Sequence, residues 1–212
     1  LAQRLVPRVY RGYFEYLYAR NEDPWDYETR EYERAKYERT IDSLDGRRFR
    51  RALDVGCSIG VLTRMVAQRC DEVVAVDTSA LAVQRARRRL SDFPEVSVHR
   101  STLPEQMPDG QFDLILCSEV LYYWNRDLLL RAWDTFESAL APNGVLLIVH
   151  GRFQSHTCPV TGDEVHDLVT SHCALDHTFS ETKPRYRLDR FEKQSLADST
   201  SEGLTVPSTG CS

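Results

Sequence analysis

Two glycines four residues apart, Gly56 and Gly60, sit in the stretch LDVGCSIGVL (53–62) with Ser58 between them. A carboxylate, Asp77, follows 21 positions after Gly56 at the end of EVVAVD. Glycines of this kind let a backbone approach a ligand closely. A carboxylate at the end of the next strand accepts from both hydroxyls of a ribose, and amides at a helix start supply donors. The chemistry on offer is therefore the binding of a nucleoside-like group. The competing reading is a glycine turn that only packs a strand against a helix.

The spacing narrows the ligand. A dinucleotide fingerprint, GxGxxG, laid on Gly56 requires glycine at positions 58 and 61, where the chain has Ser58 and Val61. The shorter GxGxG turn leaves less room for a pyrophosphate, which disfavours a nicotinamide dinucleotide. It suits a ligand without phosphate, S-adenosylmethionine (SAM), with Asp54 placed to orient the loop amides and the ligand's amino group.

A second group of residues lies further along. SEVLYY (118–123) carries Glu119, Tyr122 and Tyr123, and His150 ends VLLIVH. If the ligand donates a methyl group, the nucleophile must present an unprotonated lone pair, and a carboxylate or histidine nearby can take or relay a proton. Glu119 is the candidate acceptor-facing or methionyl-contacting carboxylate, and His150 the candidate base. Tyr122 and Tyr123 offer aromatic walls and hydroxyls. The alternatives are a cap or solvated group for Glu119 and a loop anchor for His150.

These residues need a scaffold, and the hydrophobic pattern supplies one. Short apolar runs at 52–56, 72–77, 96–99, 112–118 and 145–150 alternate with helical periodicity after Gly60, over 79–90 behind the N-cap Ser79, and over 128–140, followed by the turn APNG. Alternation of this kind predicts a parallel sheet with helices on both faces. After a helix from about 162 to 171, the segments 175–182 and 185–192 follow each other with no helix between them. They predict an antiparallel pair at one edge, for seven strands in all. Residues 1–45 are expected to form an N-terminal helical lid or cap, with Tyr32, Tyr37, Ile41 and Leu44 on one helix face. Residues 46–192 form the core, and 193–212 are polar, small and unperiodic, hence expected to be disordered.

LDVGCSIG, VVAVDTS, FDLILCSEVLYY and LAPNG resemble, in order, the motifs of class I SAM-dependent methyltransferases, over roughly residues 25 to 192. EDPW (22–25), SEVLYY and TGDEVH (161–166) resemble more narrowly the nodulation protein S branch. Its best-known activity methylates the free amino group on the non-reducing glucosamine of a deacetylated chitooligosaccharide. The resemblance implies a Rossmann-like fold and an N-methyltransferase acting on a small polar amine. It implies that Gly56, Ser58 and Gly60 shape the loop around the methionyl and ribose groups, that Asp77 holds the ribose diol, and that Thr78 flanks the adenine. Thr102 stands where relatives carry an acidic residue that accepts from the adenine amino group, with the Leu103 amide beside it. Trp25 and the Tyr32–Tyr37 helix are expected either to close over the ligand or simply to pack. Asp163, Glu164 and His166 belong either to the site or to a helix start with acidic residues in its first turn.

Charge and composition remove other classes. A net charge of -5 leaves no basic surplus for nucleic acid, and RARRR (85–89) reads as a solvated helix face. The Asn/Asp-Pro-Pro-aromatic tetrad of base-modifying enzymes is replaced by SEVLY. No run reaches the roughly 18 to 20 apolar residues of a membrane span. The six cysteines form no CxxC pair and no metal site, which suits reduced thiols in the cytoplasm. The alternatives to N-methylation are O-methylation of a small molecule and a domain that binds SAM or S-adenosylhomocysteine (SAH) without turnover.

Overall fold

The five apolar runs and the two segments that follow them pair into one sheet. The computed structural model describes residues 6–195. Strands β1 (Phe49–Val55), β2 (Cys70–Asp77), β3 (Val96–Arg100), β4 (Phe112–Ser118), β5 (Leu140–Gly151), β6 (Asp176–Thr182) and β7 (Tyr186–Glu192) lie in the order β3-β2-β1-β4-β5-β7-β6. The first five are parallel, and β7 pairs antiparallel with both β5 and β6. The predicted α/β architecture, with its antiparallel edge, is present.

The period-2 side-chain alternation of the central strands divides the core. Leu53, Val55, Ile115, Cys117, Leu146 and Ile148 face α5 (Arg126–Ala139) and α6 (Gly162–His172) in one apolar cluster. Ala52, Leu114, Leu116, Val145 and Leu147 face the other way, against α2 (Glu31–Asp42) and α3 (Val61–Ala67). On that second face α4 (Ala80–Arg89) packs Val83 and Ala86 on Ala75 and Val98. The N-terminal helix α1 (Val6–Arg20) docks against α4.

Three expectations are corrected. APNG is not a free turn: α5 passes directly into β5 at Leu140. The segment is then held against the residue after β7 by Asn143 N–H donating to Lys193 O at 2.9 Å and Lys193 N–H donating to Gly144 O at 3.0 Å. The preceding helix begins two residues early, because Asn125 caps it by accepting from the Leu128 N–H at 2.9 Å. Nor is RARRR a solvated face throughout. Arg85 donates to the Tyr18, Asn21 and Glu22 carbonyls, while Arg89 grips the Ile59 carbonyl and both oxygens of Glu28. Four residues apart on one helix, these guanidiniums share a face, and Arg85 on that face meets the carbonyl end of α1. Glu15 completes the dock by accepting from Ser79 Oγ and the Ala80 N–H at the start of α4.

The predicted tail lies outside the described residues from residue 196 onward, as does Cys211. The other five cysteines are free.

Candidate active site

In an open parallel sheet a ligand crevice forms where the strand order reverses, outside the carboxyl ends of the strands. Here that point lies between β1 and β4. A cleft there has a floor of Gly56, Cys57 and Ser58 after β1, Asp77 and Thr78 at the end of β2, Ser101 to Leu103 after β3, and Ser118 to Val120 at the end of β4. Its roof is aromatic: Phe14 and Tyr18 from α1, Trp25 and Tyr27 from the following connection, and Tyr37 from α2. Trp25 stacks on Tyr27 with ring centroids 5.5 Å apart, and Phe14 meets Tyr123 edge-on at 4.8 Å.

The turn after β1 shows why glycine is needed. Gly56 has φ +73, and a Cβ there would stand 2.8 Å from Val120 Cγ2, inside van der Waals contact. Ser58 also sits in the left-handed region, at φ 52. Its N–H donates to Asp77 Oδ2 at 2.9 Å, and its Oγ meets the Tyr18 hydroxyl at 2.5 Å. Asp77 Oδ1 accepts from the Ser79 N–H at 2.8 Å, so one carboxylate ties the β1 turn to the start of α4. Burial pushes Asp77 up to about 6 against these backbone bonds. Asp54, 2 % exposed, is likewise pushed up to about 6 by burial, opposed by the Thr63 hydroxyl that donates to it at 2.6 Å. Its fixed partner is thus Thr63 of α3 and not the loop amides expected from the sequence. Thr78 and Thr102 bring their hydroxyl oxygens to 3.5 Å of each other at the far end of the cleft.

Glu119 occupies the opposite side. Its backbone is left-handed, φ 54, a conformation that costs a residue bearing a Cβ about 1–2 kcal/mol. Four contacts hold it. Its N–H donates to Val149 O at 2.9 Å; Oε2 accepts from the Tyr122 hydroxyl at 2.8 Å and the Gly151 N–H at 2.9 Å; and Oε1 accepts from the Lys36 ammonium. Lys36, 2 % exposed, also lies 2.7 Å from Glu33. Burial works against the Lys36 charge, but the Glu119 and Glu33 carboxylates more than offset it and hold its pKa above the ordinary lysine value. Burial raises the Tyr18, Tyr27 and Tyr37 hydroxyls well above their usual range, so they remain protonated donors.

The structure gathers Trp25, Asp54, Gly56, Ser58, Asp77, Thr78, Thr102, Leu103 and Glu119 around this cleft. Three predicted residues stand elsewhere. Gly60 caps α3 at φ 82, and a Cβ there would meet Leu90 Cδ1 at 2.9 Å; it allows α3 and α4 to approach and does not line the cleft. Tyr122 lies behind Glu119 and steers its carboxylate. His150 is fully buried, with Nε2 accepting from the Leu121 N–H at 3.2 Å and Nδ1 3.1 Å from His166 Nε2. Both ring nitrogens are engaged, and burial beside His166 lowers its pKa well below the usual value, so it is not placed to take a proton from a bound acceptor. Asp163 and Glu164 belong to a helix start, since Thr161 and Glu164 form a reciprocal capping box.

Lys36 and Glu33 escape sequence reading because they look like solvent-facing members of a charged helix. Their spacing of three is the one available signal. Tyr18 and Phe14 carry only the weak signal of four-residue spacing on an aromatic-rich segment.

Comparison with known proteins gives a consistent set of relatives. The sequence profile of nodulation protein S (NodS) matches residues 17–182. Nodulation protein S of Bradyrhizobium diazoefficiens is 33% identical over 135 residues, covering 62% of this chain and 64% of that protein. That of Rhizobium tropici is 32% identical over 149 residues, covering 68% and 62%. The chain therefore spans less than two thirds of the length of these curated relatives. Among solved structures, a Pseudomonas syringae protein with a provisional methyltransferase name is 37% identical with a TM-score of 0.70, covering 77% of this chain and all of that one. N-methyltransferase NodS from Bradyrhizobium japonicum WM9, solved in complex with SAH, shares the fold at 24% identity and a TM-score of 0.73, covering 82% and 93%.

Proposed function

The chain belongs to the nodulation protein S family, and from that premise we propose that it is a SAM-dependent methyltransferase acting on the amine of a small polar acceptor. An amino sugar, as in a deacetylated chitooligosaccharide, is the acceptor class we favour, and the cytoplasm the compartment. Of the expected 1–45 cap, residues 6–45 serve as the cap and residues 1–5 lie outside the described residues; 46–192 serve as the core.

The observation that carries this reading is the pair Asp54 and Asp77. Both carboxylates face the cleft, both are pushed up to about 6 by burial, and among the described residues neither pairs with a lysine or arginine. Such a site repels a pyrophosphate and is completed by a ligand that brings an ammonium, a sulfonium and a ribose diol. In this reading Asp77 accepts from the ribose, Asp54 faces the methionyl ammonium, and Gly56 and Ser58 carry the close backbone approach. Thr78, Thr102 and the Leu103 amide receive the adenine, and Trp25 lies in the roof.

When bound, SAM supplies a methyl carbon activated by its sulfonium. The protein's own work is alignment and exclusion of water. The roof of Phe14, Tyr18, Trp25, Tyr27 and Tyr37 keeps the reacting atoms dry. Glu119, fixed by Lys36, Tyr122 and Gly151, accepts from an amine N–H and points the lone pair inward. Its charge is already paired with Lys36, so its part is orientation. The amine reacts as the free base, and the alkylated ammonium releases its proton to water on leaving.

The test is methyl transfer from labelled SAM to glucosamine oligomers, with fully N-acetylated oligomers as the control. Label on the free amine alone supports the reading. Label on the acetylated oligomer indicates O-methylation, and tight SAH binding without transfer to any amine in a broad panel overturns the enzyme reading.

A further inference from the structure

A polar chain crosses the apolar face under α6 and takes no part in the chemistry above. It starts at Asp189 on β7, fully buried, whose Oδ2 lies 2.6 Å from His166 Nδ1 on α6. His166 Nε2 lies 3.1 Å from His150 Nδ1 on β5. His150 Nε2 in turn accepts from the backbone N–H of Leu121, the first residue of the 3-10 turn after β4. Four elements distant in sequence are thus joined by three hydrogen bonds.

Proton counting gives the chain a direction. The Leu121 amide can only donate, so His150 Nε2 carries no hydrogen. A neutral His150 then bears its proton on Nδ1 and donates it to His166 Nε2. His166, neutral in its turn, bears its proton on Nδ1 and donates it to Asp189, which must be ionised to accept. Each bond requires the next, and one arrangement of protons satisfies all three. The surroundings agree. Arg187 lies 2.9 Å from Asp189 Oδ2 and also pairs with Asp167, His177 reaches Asp189 Oδ1 at 3.1 Å, and the Lys36 charge acts on His150. The His166 hydrogen bond and Arg187 keep Asp189 ionised, Arg187 disfavours charge on His166 and Lys36 on His150, and burial lowers the pKa of both rings.

We propose that His150, His166 and Asp189 are positioning residues, a directional relay of two neutral Nδ1–H imidazoles that holds the Leu121 amide and thereby fixes the 119–123 turn forming one wall of the cleft. The turn needs such a hold. It begins at the left-handed Glu119, passes Val120 in close approach to Gly56, and ends in Tyr123 against Phe14. Released from His150, the Leu121 N–H would be an unpaired donor in a fully buried residue, and the wall would relax. The antiparallel edge β6–β7 thus supports the cleft mechanically while touching no ligand. The inference rests on the proposed function only for what the wall faces.

The test is nuclear magnetic resonance of the full chain with 15N-labelled histidine. Long-range 1H–15N correlations should show both rings as Nδ1–H tautomers, unchanged from about pH 6 to about pH 8, where a free imidazole titrates. The Leu121 amide should exchange slowly. His150→Gln, whose carboxamide can donate to His166 and accept from Leu121, should keep that protection. His150→Leu should speed exchange at Leu121 by about tenfold or more while the β5–β7 ladder amides keep their rates. Either ring found as the Nε2–H tautomer or as a cation overturns the relay, as does equal protection of Leu121 in the two variants. Should His150→Leu fail to fold, the wild-type tautomers decide alone. A chain that shows both tautomers but binds no SAH loses the proposed function and keeps the relay.

Discussion

Replacing Lys36 by Met removes one charge from a cluster of three. The Lys36 side chain is 2 % exposed and lies between Glu33 and Glu119, themselves 7% and 8% exposed, so the substitution strands two carboxylates away from water. Glu119 retains the Tyr122 hydroxyl and the Gly151 N–H; Glu33 loses the ammonium 2.7 Å away. Breaking a buried pair by removing one partner costs about 3–5 kcal/mol, a large part of the roughly 5–15 kcal/mol available to a domain. Urea unfolding of Lys36→Met should show a lowered midpoint at unchanged slope. The triple variant Lys36→Met, Glu33→Gln, Glu119→Gln should recover most of the loss. A single variant that loses less than about 1 kcal/mol, or a triple variant no better than the single, would refute the assignment of the cluster as a buried charge clamp joining α2 to the cleft.

Three further outcomes follow from the cleft itself. Asp54 and Asp77, both at about 6, must be ionised to hold a cationic ligand, so SAM affinity should fall as pH drops. Between about pH 7.5 and pH 5 the loss should be about tenfold for each group that the ligand engages, and a pH-independent Kd measured by calorimetry would contradict the assignment. The same raised values mean that the folded state binds more protons than the unfolded chain between about pH 4 and pH 6, so the empty protein should lose stability as pH rises through that window. Gly56→Ala places a Cβ 2.8 Å from Val120 Cγ2 at φ +73 and should cost about 1–3 kcal/mol in stability with a loss of SAH affinity. Wild-type affinity in that variant would show that the turn does not approach the ligand.

The sheet was legible because its signals are local: period-2 apolar runs, glycine turns and the cap Ser79 each act within a few residues. The floor of the cleft was legible for the same reason, since Gly56, Ser58, Asp77 and Glu119 follow strand ends directly. Residues whose role comes from distant partners were misread or missed. His150 looked like a base at a strand end, but Leu121 and His166, 29 and 16 residues away, occupy both its nitrogens. Lys36 looked solvent-exposed until Glu119, 83 residues on, was placed beside it. RARRR looked solvated because nothing local announces the α1 carbonyls that Arg85 meets. Gly60 was read as shaping the loop around the ligand, but it caps α3 at φ 82 and its open side faces Leu90 and Ala86 of the neighbouring helix segment.

The central claim is that the turn after β1 and the two carboxylates beside it hold SAM. Calorimetric titration of the purified chain at neutral pH with SAM, SAH and NAD tests it most directly. Saturable binding of both sulfur ligands, one per chain, with no heat from NAD, is the predicted result. NAD binding comparable to that of SAM, or no binding of either sulfur ligand, would contradict it.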